Sequence, residues 1–245
     1  MQQQELIVTT QQKQTTTTLP RLAFNEPDID GLFPGFKAGD IAVVYGPQHV
    51  NSLVGKLCIK AQQIGGIESK VVFIDAASSP SLSSIPTAAQ KNITIKRVYT
   101  AYRLTSLIME QLEQAVEKAN AKLVVISDIA GPFLSDTVDD QEAKAVYSQI
   151  MSFLAGFAKK QKLIVLATYL SHEGNRRNNM LQEISSAKAN VVLRFTKTPY
   201  TSEVELEKHP TYMLGVAEFT PEVKTLTDFA SVPAVPVFTL SYRTL

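Results

Sequence analysis

The residues that come nearest to doing chemistry in this chain follow a short apolar run. Ile41-Ala-Val-Val-Tyr45 gives way to Gly46-Pro47-Gln48-His49-Val50-Asn51-Ser52-Leu53. A buried strand, a glycine turn and then a helix is the setting of a phosphate-binding loop, in which backbone N–H groups and a helix N-terminus cradle phosphate oxygens. Hydrolysis there needs more: a second glycine, a lysine that reaches the outer phosphates, and a Ser or Thr hydroxyl on magnesium. Counting from Gly46, Asn51 stands where the second glycine belongs, Ser52 where the lysine belongs and Leu53 where the hydroxyl belongs. Ser52 carries no charge and Leu53 cannot ligate magnesium, so the setting is present and the chemistry is missing. Two groups offer a partial rescue. Lys56 lies one turn after Ser52, and a helical side chain leans toward the helix N-terminus; its ordinary reading is a solvated helix lysine. Asp128 ends the run Leu123-Val-Val-Ile-Ser127. His49 is a lone loop histidine, a type of residue that is usually just exposed.

The elements that must position these residues are legible as alternating runs. Continuous apolar stretches at 41–45, 70–75, 95–99, 123–127 and 163–167 read as strands buried on both faces. Between them, 50–64, 105–121 and 141–161 read as helices, the second carrying Leu107, Ile108, Leu112, Ala115 and Val116 at helical spacing. Beyond Ala187 the pattern changes to strands and hairpins at 190–195, 204–207, 215–219 and 237–242. Such alternation predicts an α/β domain with a mostly parallel sheet, helices on both faces and an antiparallel edge. Residues 1–20, rich in Gln and Thr, are expected to form a disordered polar tail, leaving 21–245 as a single core domain.

Composition narrows the functional classes. The 245 residues carry a formal net charge of +1, which marks neither a general nucleic-acid binder nor a membrane-surface protein. Cys58 is the only cysteine, so an internal disulfide is excluded and a metal cluster is not expected. No apolar run approaches the roughly 20 residues of a membrane span, and the N-terminus lacks the layout of a signal peptide. A cytoplasmic setting is the simplest expectation. No cofactor is expected; ATP binding without turnover stays open but is not the expectation.

The order and spacing of these segments carry a family resemblance. Ile29-Asp-Gly-Leu-Phe-Pro-Gly-Phe-Lys-Ala-Gly-Asp40 resembles the segment by which archaeal RadA and other RecA-family recombinases enter their first core strand. Val72-Phe-Ile-Asp75 resembles the family's second strand, and the water-orienting Glu expected after it is replaced by Ala77. Lys122-Leu-Val-Val-Ile-Ser-Asp128 resembles the Walker B strand, with Ser127 at the place of the metal-associated Asp and Asp128 one position later. One step along a strand points to the opposite face, so Asp128 is not an obvious substitute. Leu206-Glu-Lys-His-Pro210 followed by Gly215-Val-Ala-Glu-Phe219 resembles the late hairpin of the recombinase core. The resemblance runs through most of residues 21–220 and implies a RecA-type P-loop fold. With Ser52, Leu53 and Ala77 in place of a charge, a magnesium ligand and a carboxylate, it implies a short RadA paralogue that does not turn over ATP.

The resemblance also points to two loops that would meet DNA. In one, Ser171-His-Glu-Gly-Asn-Arg-Arg-Asn-Asn179, the residues Arg176 and Arg177 would contact phosphates while Asn178 and Asn179 add hydrogen bonds. The plain alternative is a solvated loop with two surface arginines. The other loop, at 135–142, is acidic and would repel a backbone. Three functions stay open: an accessory subunit in DNA recombination or repair, holding single-stranded DNA weakly or docking on a partner recombinase; an ATPase with an atypical loop built on Lys56 and Asp128; or a structural module of an assembly unrelated to DNA.

Overall fold

The computed structural model describes residues 21–47, 50–64, 70–76, 85–135, 138–170, 172, 174–198 and 201–220. The expected tail at 1–20, the expected strand at 237–242, and Gln48, His49 and Ala77 lie outside the described residues.

The chain order is α1 (Pro27–Leu32), β1 (Ile41–Gly46), α2 (Val50–Ile64), β2 (Val71–Asp75), α3 (Thr87–Gln90), β3 (Ile93–Arg97), α4 (Ala101–Ser106), a π turn (Leu107–Gln111), α5 (Leu112–Ala119), β4 (Leu123–Ser127), α6 (Asp140–Gln161), β5 (Ile164–Leu170), α7 (Arg176–Lys188), β6 (Val191–Lys197), β7 (Ser202–Lys208) and β8 (Gly215–Phe219). One eight-stranded sheet holds them in the order β3-β2-β4-β5-β1-β6-β7-β8. β1 through β6 run parallel; β7 and β8 close the sheet as an antiparallel edge. The fold is therefore α/β with a mostly parallel sheet. The antiparallel edge begins one strand later than the sequence suggests, because β6 pairs parallel with β1.

The handedness of crossovers explains the layers. Parallel strands are joined almost always by right-handed connections. From β1 to β2 to β3 the chain steps one way across the sheet; from β3 through β4 and β5 to β6 it steps the other way. The connecting helices must then fall on opposite faces. On one face, Val50, Leu53, Leu57 and Cys58 of α2 pack with Ala42, Val44, Phe73 and Leu166. On the other, Leu112, Tyr147, Leu154 and Leu181 pack with Val43, Ile74, Val124 and Ala167. Successive residues of β1 thus feed two separate cores, which is why its sequence is uniformly apolar. Burial lifts the Cys58 thiol to about 12. Among the described residues no helix is long and apolar enough to cross a membrane.

Two elements depart from the sequence reading. β3 spans Ile93–Arg97 instead of 95–99, in register with β2 from Val71↔Ile93 to Asp75↔Arg97. Its helix begins at Ala101, where Thr100 Oγ1 accepts the Arg103 N–H (3.3 Å). The larger departure is α7, a helix where a flexible loop is expected. Asn175 caps it by accepting the Arg177 N–H (2.9 Å).

α7 carries few apolar residues and is anchored by phenols instead. Tyr169 donates to the Asn178 carbonyl (3.0 Å) and to its Oδ1 (2.8 Å). Tyr45 donates to the Gln182 carbonyl (3.0 Å). Ser185 gives its own proton to the Leu181 carbonyl (2.8 Å), so its oxygen accepts from Tyr147 (2.7 Å). Burial raises all three phenols above the ordinary tyrosine range and keeps them neutral donors. Tyr169→Phe leaves the buried Asn178 Oδ1 without this donor and is expected to cost about 1–3 kcal/mol. A lowered urea midpoint, together with faster amide exchange in α7 than in α2, checks this. An unchanged midpoint would show that the phenol does not anchor the helix.

Candidate functional site

The carboxyl ends of β1, β4, β5 and β6 form the edge on which α/β sheets of this kind place their ligands. β1 ends at Gly46, where a Cβ would stand 2.6 Å from Val50 Cγ2 and 2.9 Å from Phe195 Cβ. Only glycine lets the chain pass between α2 and β6 there. α2 begins at Val50, and Val50 and Leu53 turn into the core with 1% and 5% exposure. Leu53, at the magnesium ligand's place, is thus a packing residue. Asn51 is buried and Ser52 half-buried in the same first turn. Lys56 follows in the second turn of α2. Its Nζ sits 2.6 Å from Glu26 Oε1, in the segment before α1, and that ion pair holds it to the outer layer.

At the end of β4, Ser127 Oγ donates to Asp75 Oδ1 (3.1 Å) and accepts the Ala76 N–H (3.2 Å), tying the ends of β2 and β4 together. Asp75 also faces Arg97 Nε at 3.7 Å. Asp128 then adopts a left-handed backbone, φ 44°. That twist, unforeseen by strand alternation, swings its carboxylate toward the end of β5. There it accepts the Leu170 N–H (3.2 Å), and His172 Nε2 lies 3.0 and 3.1 Å from its two oxygens. Its own N–H donates to Thr168 Oγ1 (2.9 Å). The carboxylate is nearly enclosed, with 5% of the side chain exposed. Hydrogen bonding to it raises the His172 imidazole above the ordinary histidine value, against a smaller opposing effect of burial.

Between the ends of β1, β5 and β6 lies a cleft of about 300 Å³ lined by Tyr45, Gly46, Tyr169, Arg194, Phe195 and Lys197, among others. Arg194 lies over the Tyr45 ring (4.6 Å) and pairs with Glu207 of β7. The sequence singled out neither Arg194 nor the tyrosines. A tyrosine ending an apolar strand is the available signal, because a buried phenol needs a partner.

The candidates at 176–179 come together as the first turn of α7, and the structure divides them. Arg177 binds Asp140 through Nε (2.6 Å) and Nη2 (2.5 Å), and Nη1 donates to the carbonyls of Phe133 (3.0 Å) and Ser135 (2.8 Å). Asn178 is buried against Tyr169. Arg176 and Asn179 stay exposed. One ion pair thus joins the basic and acidic segments: Asp140 takes Arg177, while Asp139 caps α6, accepting the Gln141 N–H (2.8 Å). Among the described residues no group of three or more His, Cys, Asp or Glu could hold a metal ion.

The architecture is consistent with a Rossmann-like or P-loop fold. No model of a known protein family matches the chain, and neither does any curated protein sequence.

The Asp128–His172 pair makes a pH prediction. A raised histidine pKa means that the pair's contribution to stability is full below the unfolded value near 6.5 and is lost as pH rises through the folded value. The gap in urea midpoint between the parent and His172→Gln should therefore shrink from acid to alkaline pH. An NMR titration should place His172 above an ordinary histidine, and Asp128→Asn should lower it. A gap that widens with pH would refute the assignment.

Proposed function

We propose that this chain is a RecA-type module without ATP turnover, serving as an accessory subunit in DNA recombination or repair. In this reading it docks on a catalytically competent recombinase or another protein subunit and holds single-stranded DNA weakly. The sequence resemblance supplies the family. The sheet order is compatible with it, with β1 inside the sheet and β5 lying between β1 and β4.

One observation supports the non-catalytic part: among the described residues, the groups at the candidate positions are packed, paired or uncharged. Leu53 is in the core, Lys56 is paired with Glu26, and Asp128 is hydrogen-bonded to His172 and Leu170. Phosphoryl transfer depends on charge aimed at the transferred group. Ser52 supplies none, and freeing Lys56 would strand the carboxylate of Glu26, whose side chain is 12% exposed. The α7 end retains Arg176 and Asn179 for contact with DNA, since Arg177 and Asn178 are held inside.

The test is a turnover assay with ATP and magnesium, with and without single-stranded DNA. No hydrolysis above background is expected in either case, and Lys56→Ala should change nothing in that assay while lowering the melting temperature, because the Glu26 carboxylate loses this partner. A turnover rate that Lys56→Ala or Asp128→Asn abolishes would overturn the reading in favour of an ATPase with an atypical loop. Arg177→Ala is expected to destabilise the fold by about 1–3 kcal/mol through its charged hydrogen bonds. Arg176→Ala, at an exposed side chain, should leave the urea midpoint unchanged. Equal effects of the two would contradict their different placements.

A further inference from the structure

β3 is an outer strand of the sheet, and its flank gathers cations with exposed aromatic rings. A groove of about 330 Å³ runs between β3 and α5, lined by Lys70, Thr94, Lys96, Gln111, Gln114 and Lys118, together with two alanines. It presents three ammonium groups, two amides and a hydroxyl, and no carboxylate. None of Lys70, Lys96 and Lys118 makes an ion pair among the described residues, and neither does Arg103. Of the acids on the neighbouring elements, Asp75 faces Arg97, Glu113 pairs with Lys160 (2.9 Å), Glu110 accepts from Ser106 (2.7 Å) and Glu142 accepts from Tyr102 (3.1 Å), while Glu117 stands exposed beside Lys118.

Just past the groove stand Tyr99 and Tyr102, exposed by 65% and 59%. These are large side chains left to water, unlike Tyr45, Tyr147 and Tyr169, which are buried. Tyr99 follows Lys96 by three residues, so at most about 10 Å separates their Cα atoms. Tyr102 and Arg103 begin the same helical run that carries Gln111, Gln114 and Lys118.

We propose that the β3 edge binds single-stranded nucleic acid, with phosphates along Lys70, Lys96 and Lys118 and unpaired bases stacked on Tyr99 and Tyr102. The inference rests on the accessory reading above and moves its nucleic-acid contact from α7 to the opposite part of the sheet. A basic groove beside solvent-facing rings is what sequence-tolerant single-strand binding requires, since every base offers a π face. An acidic protein would satisfy the lysines and leave the rings without a role.

The experiment is fluorescence anisotropy of the full chain with short labelled oligothymidine and oligouridine at low salt, the two probes separating DNA from RNA. Three phosphate contacts predict a slope of log K against log salt of about −2.1, from ~0.7 per contact. Lys96→Gln with Lys118→Gln should weaken binding by at least about tenfold and flatten the slope to about −0.7. Tyr99→Ala with Tyr102→Ala should weaken binding on the order of tenfold with the slope kept, and Phe at both positions should restore it. All four side chains are exposed, so melting temperatures should match the parent. Parental affinity in both double variants, or no binding by the parent, would overturn the proposal. So would competition by polyglutamate that ignores the tyrosines, which would mark an acidic-protein surface. Loss of binding confined to Arg176→Ala would sink this inference and leave the accessory reading standing. ATP turnover abolished by Lys56→Ala, with binding at β3 intact, would do the reverse.

Discussion

A parallel sheet buried on both faces sends its polar obligations to the ends of its strands, and this constraint shapes everything at the carboxyl edge. Each of β1, β4 and β5 must finish with groups that satisfy the turning backbone without water. Here they satisfy each other. Ser127 joins the ends of β2 and β4, Thr168 accepts from the Asp128 amide, and Asp128 accepts from Leu170. In this chain the hydrogen-bonding capacity is spent on the fold.

The same economy extends to the neighbouring layers. α7 is bound through tyrosine hydroxyls in place of a wide apolar stripe, and Arg177 stitches it to α6 and to the turn at 131–135. The Phe24, Phe33, Phe36 and Phe195 rings meet at centroid distances between 4.8 and 6.5 Å on the other face, fixing the segment before β1 against β6. Lys56 anchors to that same segment through Glu26. That ion pair ties α2 to the entering chain.

Much of the fold was legible because strands buried on both faces leave a strong trace. Ile41–Tyr45 and Leu123–Ser127 could hardly be read otherwise, and α2 and α6 were found nearly to the residue. What failed did so for identifiable reasons. α7 escaped because Arg176, Asn178, Asn179, Gln182 and Ser185 hide its helical period, and its stabilising partners are hydroxyls far off in sequence. β3 was displaced by two residues because its register is set by β2, while Val98 and Tyr99 extend the apolar look of the run. At the site, the misfit of Ser52 and Leu53 was plain from spacing alone. The conformation of Asp128 was not, since a left-handed residue after a strand leaves no mark in composition, and the engagement of Lys56 and Arg177 depended on acids distant in sequence.

Cys58, enclosed in the layer beneath α2, has a practical consequence. A thiolate, not a thiol, is the reactive form, and this one is both inaccessible and held far from ionisation. Alkylating reagents can reach it only when that face of the molecule opens. The rate of its modification is then a clock for the native state's own opening. Because no other cysteine competes for reagent, a reporter thiol introduced at any exposed position would be labelled first and cleanly, and the slow second event would time the breathing of the core.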